Sequence, residues 1–104
     1  MYVSGQIALD AQGEIVGKND LRRQTEQAYE NLKVALAAAG ATLADVVKVN
    51  IYVVNFKPQD LSVIREVRSQ YSMQERPPAS TLIGVQALAF DGLLIKIEVI
   101  AVIE

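Results

Sequence analysis

Apolar positions repeat with a helical period in two segments of the chain. Leu and Ala residues recur at three- and four-residue steps over residues 21–39, which predicts an amphipathic helix. Asn19 or Asp20 is placed to cap its start, and Gly40 is placed to end it. A second helix is predicted to open at Lys57–Asp60, where a proline falls near the first turn. Its predicted buried stripe is Val63, Ile64, Val67 and Tyr71.

Period-two alternation predicts strands in the rest of the chain. Val46–Val54 is the clearest case, with one apolar face (Val47, Val49, Ile51, Val53) and one polar face (Lys48, Asn50, Tyr52). Other strands are expected over 2–9, 14–16, 81–88 and 93–103, with a hairpin signal at Phe90–Gly92 before the last one. The segment Arg76–Pro78 is expected to end the second helix and force an extended entry to the next strand.

The resulting element order is β-β-α-β-α-β-β. Two helices on one face of a mixed sheet predict an α+β two-layer sandwich, formed as one domain over residues 1–104. The other face of the sheet must then meet solvent or another subunit. Because the chain is small and rich in aliphatic residues, we expect part of its surface to be buried by a neighbouring copy.

The composition narrows the possible chemistry. The chain has neither cysteine nor histidine, so disulfides, thiolate nucleophiles and the commonest general base and metal ligand are excluded. No metal site is expected. The net charge of −2 comes without a basic run, so no nucleic-acid partner is expected. The N-terminus lacks the pattern of a signal peptide, and no apolar stretch reaches 18 residues, so no membrane partner and a cytoplasmic location are expected.

Glu98 is the most informative residue, because it interrupts an apolar strand. A carboxylate in such a strand is costly to bury unless it is paired, hydrogen-bonded or protonated. On the sequence, Glu98 shares a strand face with Lys96, and an exposed pair between the two is one interpretation. The other is that Glu98 belongs to a functional site.

Three further groups have two possible interpretations each. Ser4-Gly5 lies in the first strand, where a glycine either allows a ligand to approach or marks a bulge. Ser80-Thr81 follows Pro77-Pro78-Ala79 and either presents hydroxyls to a small anion or carbonyl group or simply enters a strand. Arg65 shares a predicted helix face with Arg68, and the pair is either solvated or clamps an anion.

Together these segments resemble the RidA family, also called YjgF or L-PSP. The resemblance covers nearly the whole chain. The stretches that carry it are Val3–Ile7, Ala28–Leu32, Asp45–Val49, Pro78–Thr81 and Ile97–Val102.

The resemblance implies a chorismate-mutase-like fold and a homotrimer with ligand clefts between adjacent subunits. It also implies a small-molecule ligand and, for deaminating members, hydrolysis of reactive enamines and imines such as 2-aminoacrylate without metal or organic cofactor. Glu98 matches the family's water-positioning glutamate, so it is the expected catalytic residue. Ser4 and Gly5 match the cleft-lining strand, and Ser80 and Thr81 are expected ligand contacts.

The chain departs from the family pattern at informative places. Ser80 stands where the deaminases carry the arginine that holds the substrate carboxylate, and Leu82 stands where many members have cysteine. The family's upstream segment, with its Gly-Pro-Tyr cleft tyrosine, has no counterpart in these residues. One hypothesis is that Arg65, at the position of a cleft asparagine, supplies the missing cation.

Two functions follow from this pattern. The first is binding of a small imine, enamine or carbonyl metabolite in clefts between subunits and, if the chain is an enzyme, metal-free enamine/imine deaminase-type hydrolysis of altered or weak activity. The alternative is a non-catalytic trimer that binds a small metabolite or has a regulatory role. Ribonuclease activity is disfavoured by the absence of histidine, of a basic patch and of stacking aromatic residues.

Overall fold

The computed structural model describes residues 1–71 and 77–103. The strands are β1 (Tyr2–Gln6), β2 (Val46–Val54), β3 (Ala79–Val85) and β4 (Ile95–Ala101). The helices are α1 (Leu21–Ala38) and α2 (Asp60–Ser69), and a 3-10 turn spans Leu43–Asp45. The sheet order is β1-β4-β2-β3, with β2 and β3 parallel and the other pairs antiparallel. The predicted α+β sandwich with a mixed sheet is confirmed.

Helix α1 follows its sequence signals closely. Of the two candidate caps, Asp20 is the one used, because its carboxylate accepts a hydrogen bond from the backbone N–H of Arg23 at 3.0 Å. Gly40 has a φ of +79°, the left-handed conformation in which glycine commonly ends a helix.

Helix α2 begins where predicted and buries most strongly at Ile64 and Val67, both at 0 % exposure. Val63 and Tyr71 of the predicted stripe are half-buried, and the Tyr71 ring stacks on the ring of Tyr29 with centroids 5.0 Å apart. Arg76, expected to help end this helix, lies outside the described residues.

The helices pack on one face of the sheet and leave the other open. The residues on the covered face belong to one buried cluster with α1 and α2; on the strands they are Val46, Val49, Ile51, Val53, Ile95, Ile97, Val99 and Ala101. Val47 was predicted to lie on this face but is 46 % exposed, and Val46 is buried in its place. The cause is a register shift between Val46 and Lys48, which moves the alternation by one residue. The last strand was predicted to reach residue 103, but β4 ends at Ala101 and Ile103 is 49 % exposed.

Two local predictions were wrong. Phe90–Gly92 does form a turn, with Gly92 at φ +91°, but β3 and β4 do not form a hairpin because β2 lies between them. The expected strand over 14–16 is reduced to a single bridge between Leu9 and Ile15. None of the helices in the described ranges is both long and apolar enough to cross a membrane.

Candidate functional site

Glu98 lies on the open face of the sheet, and its carboxylate is held by neighbours on β2. Asn50 stands directly opposite Glu98 in the antiparallel register, and Tyr52 is two residues further along the same face. The Tyr52 hydroxyl donates to Glu98 Oε1 at 2.7 Å, and Asn50 Nδ2 donates to the same oxygen at 3.2 Å. Glu98 is therefore held by cross-strand hydrogen bonds, and the expected pairing with Lys96 is not its main interaction.

These bonds favour the charged form of Glu98 and the protonated form of Tyr52. The hydrogen bond from Tyr52 is the main reason that the Glu98 pKa is lowered; partial burial opposes it, while Asn50 and the Lys96 charge add to it. The same hydrogen bond is the main reason that the Tyr52 pKa is raised. At neutral pH the site therefore holds an ionised carboxylate beside a protonated phenol. Both hydrogen bonds end on Oε1, and Oε2 accepts from neither Tyr52 nor Asn50.

A bulge in β1 places Ser4 and Gly5 opposite Glu98 along the strand pair. Val3 pairs with Val99 and Gln6 pairs with Ile97, so two residues of β1 face the single residue Glu98.

Gly5 also makes room for Lys96. A Cβ atom on Gly5 would lie 2.1 Å from Lys96 Cε, so the lysine stem occupies the space that the glycine leaves open. The Lys96 ammonium lies 5.8 Å from the centroid of the Tyr52 ring. Gly5, Lys96 and Tyr52 thus form one row across the sheet, beside Glu98.

Thr81 lies on the same open face, at the edge strand. It is in register with Asn50, and its hydroxyl accepts a hydrogen bond from Lys48 Nζ at 2.6 Å. Four of the six predicted site residues, Ser4, Gly5, Thr81 and Glu98, are therefore grouped around one face of the sheet.

Ser80 and Arg65 lie on the other side. Ser80 is in register with the buried Val49, which turns its side chain towards the helices. Arg68 Nη1 donates to Ser80 Oγ at 3.4 Å, so the guanidinium that reaches this position comes from Arg68. Arg65 lines the same cleft, which has a volume of about 320 Å³ and is otherwise bounded by Ser69, Pro77 and Pro78. Within one chain the sheet separates this helix-side cleft from Glu98.

The sequence interpretation did not assign Asn50 and Tyr52 to the site. Their place on the polar face of a strand was predicted, but the pairing of that strand with the one carrying Glu98 was not. In residues 1–71 and 77–103, no cluster of three or more acidic side chains is placed to hold a metal ion.

Comparison with known proteins places this arrangement in a family. The model of the family described as Endoribonuclease L-PSP matches residues 1–103. The chain belongs to the RidA/YjgF/L-PSP family. A RutC family protein from Pyrococcus abyssi is 42 % identical over 102 residues, which cover 97 % of this chain and 76 % of that protein. A protein from Dermatophagoides farinae named 2-iminobutanoate/2-iminopropanoate deaminase is 36 % identical over 104 residues, covering 100 % of this chain and 78 % of its own length.

Solved structures of the family have the same fold. The Rid family protein YyfB from Yersinia pestis, described as of unknown function, superposes with a TM-score of 0.90 at 44 % identity, over 99 % of this chain and 77 % of that one. The E. coli TdcF structure with bound serine has a TM-score of 0.84 at 30 % identity, over 99 % and 80 % of the two chains. The predicted chorismate-mutase-like fold is thereby confirmed.

Proposed function

We propose that this RidA-family chain binds small imines, enamines or carbonyl metabolites beside Glu98 and hydrolyses the imines without metal or organic cofactor. The observation that carries the proposal is the state of Glu98: a carboxylate with a lowered pKa, fixed through Oε1 by Tyr52 and Asn50, while Oε2 accepts from neither of them. The names of relatives such as the Dermatophagoides farinae deaminase support the same reaction class.

The chemistry needs only water and proton transfer. An enamine takes a proton on carbon and becomes the iminium ion. A water held by Glu98 adds to the iminium carbon while the carboxylate takes one proton of that water, which gives the neutral carbinolamine. The carbinolamine nitrogen receives this proton back from Glu98 and leaves as ammonia, and the hydroxyl proton is released to solvent, which leaves the carbonyl product and balances the proton taken up in the first step. The protonated Tyr52 stabilises the carboxylate form of Glu98 between these steps.

We further propose that the complete site forms between copies of the chain in a homotrimer. Glu98 and the helix-side cleft of Ser80 and Arg65 lie on opposite faces of one sheet, so only a neighbouring copy can bring the two together. The open face also carries exposed apolar side chains, including Tyr2 at 85 % and Ile83 at 45 % exposure, which a neighbouring copy would cover.

The reaction is tested by the hydrolysis of 2-aminoacrylate, generated by a serine dehydratase in a coupled assay. We expect wild-type turnover and a fall in kcat of about a hundredfold or more in Glu98→Gln, in line with loss of general acid–base help. Size-exclusion chromatography with light scattering gives the oligomeric state. Wild-type turnover that Glu98→Gln leaves unchanged would remove Glu98 from the mechanism.

A second function, ligand binding without catalysis, is favoured by Ser80. This residue stands where the deaminases carry arginine, and a bidentate guanidinium–carboxylate contact is a strong one. If turnover is absent in the wild type and appears in Ser80→Arg, the chain is a binding protein that keeps the scaffold of the enzyme. A cytoplasmic location and the absence of ribonuclease activity stay predictions from the sequence.

A further inference from the structure

We propose that Lys96 is the cation that binds the ligand carboxylate in this chain. The inference rests on the proposed site at Glu98 and names the class of ligand: small 2-oxo, 2-imino or 2-enamino acids. The role of carboxylate-binding cation, which the sequence hypothesis gave to Arg65, is thereby assigned to a residue of β4.

The charge of the open face requires such a group. The Glu98 carboxylate accepts hydrogen bonds from Tyr52 and Asn50, which favour its charged form, and a ligand carboxylate placed beside it would be repelled. The lysines on this face in the described part of the chain are Lys48 and Lys96. Lys48 lies towards the edge strand, where its ammonium donates to Thr81 at 2.6 Å.

Lys96 is better placed than Lys48. It stands two residues from Glu98 on the same face of β4, and its charge already acts on the Glu98 carboxyl group. Its ammonium lies 5.8 Å from the Tyr52 ring centroid, close to the outer limit of a cation–π contact. Such a contact holds the ammonium over the site but is weak enough to be exchanged for a carboxylate.

The structure also shows how Lys96 is guided to this place. Its stem lies in the gap above Gly5, where any side chain would collide with Cγ, Cδ and Cε. The ammonium is thereby kept between Gly5 and Tyr52. A 2-oxo or 2-imino acid bound to it through the carboxylate would bring its carbonyl or imine carbon towards Glu98. In this geometry Lys96 binds the acid group and Glu98 acts one carbon away.

The test compares pyruvate with pyruvamide, which has nearly the same shape and no charge. Binding of each is measured by NMR titration of the folded protein, for wild type, Lys96→Met, Lys96→Arg and the matched control Lys48→Met. We expect the wild type to prefer pyruvate and Lys96→Met to bind pyruvate about tenfold more weakly, with its affinity for pyruvamide unchanged. Lys96→Arg should keep the preference, and Lys48→Met should stay within about twofold of wild type. Thermal unfolding and oligomer size confirm that each variant is folded.

The outcomes separate this inference from the proposed function. If wild type turns over 2-aminoacrylate and prefers pyruvate but Lys96→Met keeps the full preference, the inference is overturned and the proposed function stands. If Arg68→Met abolishes the preference instead, the carboxylate binds in the helix-side cleft and the inference is equally overturned. If wild type neither binds pyruvate nor turns over 2-aminoacrylate, the proposed function fails and the inference fails with it.

Discussion

The two faces of the sheet are built from alternate residues of the same strands and have different roles. On the helix-covered face, Ile51, Ile95 and Ile97 are at 0 % exposure and pack into one cluster with both helices. On the open face, Asn50, Tyr52 and Glu98 make directed hydrogen bonds and stay partly exposed. The covered face stabilises the fold through burial, which depends on size and shape. The open face carries the candidate site, and the chemistry proposed for it depends on individual atoms and charges.

This difference separates stability from activity along a single strand. Lys96, Ile97 and Glu98 are consecutive, yet the middle residue belongs to the core and its neighbours belong to the candidate site. Substitutions on the helix-covered face should therefore change mainly the free energy of unfolding. Substitutions on the open face should change mainly ligand binding and turnover.

The variants with the largest expected effect test whether Glu98 of one copy meets the helix-side cleft of another copy. Glu98→Ala and Ser80→Trp should each abolish turnover, the first by removing the carboxylate and the second by filling the helix-side cleft with an indole ring. When the two variants are refolded together, about a quarter of the interfaces should carry both intact halves, since each half is intact in half of the chains. The recovered rate of 2-aminoacrylate hydrolysis measures this.

Separately refolded variants, mixed only afterwards, are the control and should stay inactive if subunits exchange slowly. If the co-refolded mixture also stays inactive while light scattering shows mixed oligomers, the site does not form between copies.

Ile97→Ala tests the covered face. Removing this fully buried side chain should lower the free energy of unfolding by about 2–5 kcal/mol through lost burial and the cavity left behind. Substitution of its neighbour, Lys96→Ala, should lower the free energy of unfolding by no more than about 1 kcal/mol. Urea unfolding of both variants gives the comparison. Equal losses would show that the open face contributes to stability as the core does.

Gly5→Ala tests whether the space above Gly5 positions the Lys96 side chain. The added methyl group meets the flexible lysine stem, so the protein should fold and Lys96 should be displaced. We expect pyruvate affinity to fall about as far as in Lys96→Met, roughly tenfold, with thermal stability close to wild type. Gly84→Ala, a strand glycine near Phe56 and away from Lys96, is the control and should leave binding unchanged. Unaltered pyruvate binding in Gly5→Ala would show that Lys96 does not need the gap.

Tyr52→Phe has the smallest expected effect and tests whether the Tyr52 hydroxyl lowers the pKa of Glu98. Without the phenol hydroxyl, the Glu98 pKa should rise towards the ordinary carboxyl value of about 4.3. The acid limb of the kcat/KM profile should then move to higher pH, because the carboxylate is the active form. Carboxyl 13C NMR titration measures the shift directly, and Tyr2→Phe on the same face is the control.

The effect of Tyr52→Phe on stability should depend on pH in a defined direction. A pKa that is lowered on folding means that Glu98 contributes stability above the ordinary carboxyl range, and that this contribution is lost as pH falls through the folded-state value. The stability difference between wild type and Tyr52→Phe should therefore shrink on acidification. A difference that grows as pH falls would contradict the assignment of the hydrogen bond.

Much of the fold was predictable because its signals are local. The Asp20 cap, the Gly40 terminus and the alternation in Val46–Val54 each act within a few residues, so the helix bounds and one whole strand were predicted closely. The bulge at Val46–Lys48 was not predictable, because it depends on the register with β4 and not on the sequence of β2 alone. The hairpin prediction failed for the same reason: which strand lies next to β4 is a non-local choice.

The candidate site shows the same division. Its catalytic candidate could be found from the sequence, since Glu98 interrupts an apolar strand at a position that the family pattern marks. Its hydrogen-bond partners could not, because Asn50 and Tyr52 are separated from Glu98 by 48 and 46 residues and meet it only when β2 pairs with β4. Likewise, consecutive residues Ser80 and Thr81 had to face opposite ways, but only the register with Val49 decided which one faces the helices.

The sequence by itself therefore determined most of the elements, the fold class, the presence of a carboxylate in an unusual place and the strand face that it shares with Lys96, since these depend on periodicity and residue type. The tertiary structure alone decided which side chains surround that carboxylate, that it is held through one oxygen, and that Ser80 lies on the opposite face of the sheet. The physical reason is that strand pairing joins distant segments at a spacing of about 5 Å, which brings side chains of neighbouring strands within the roughly 3 Å that hydrogen bonds require.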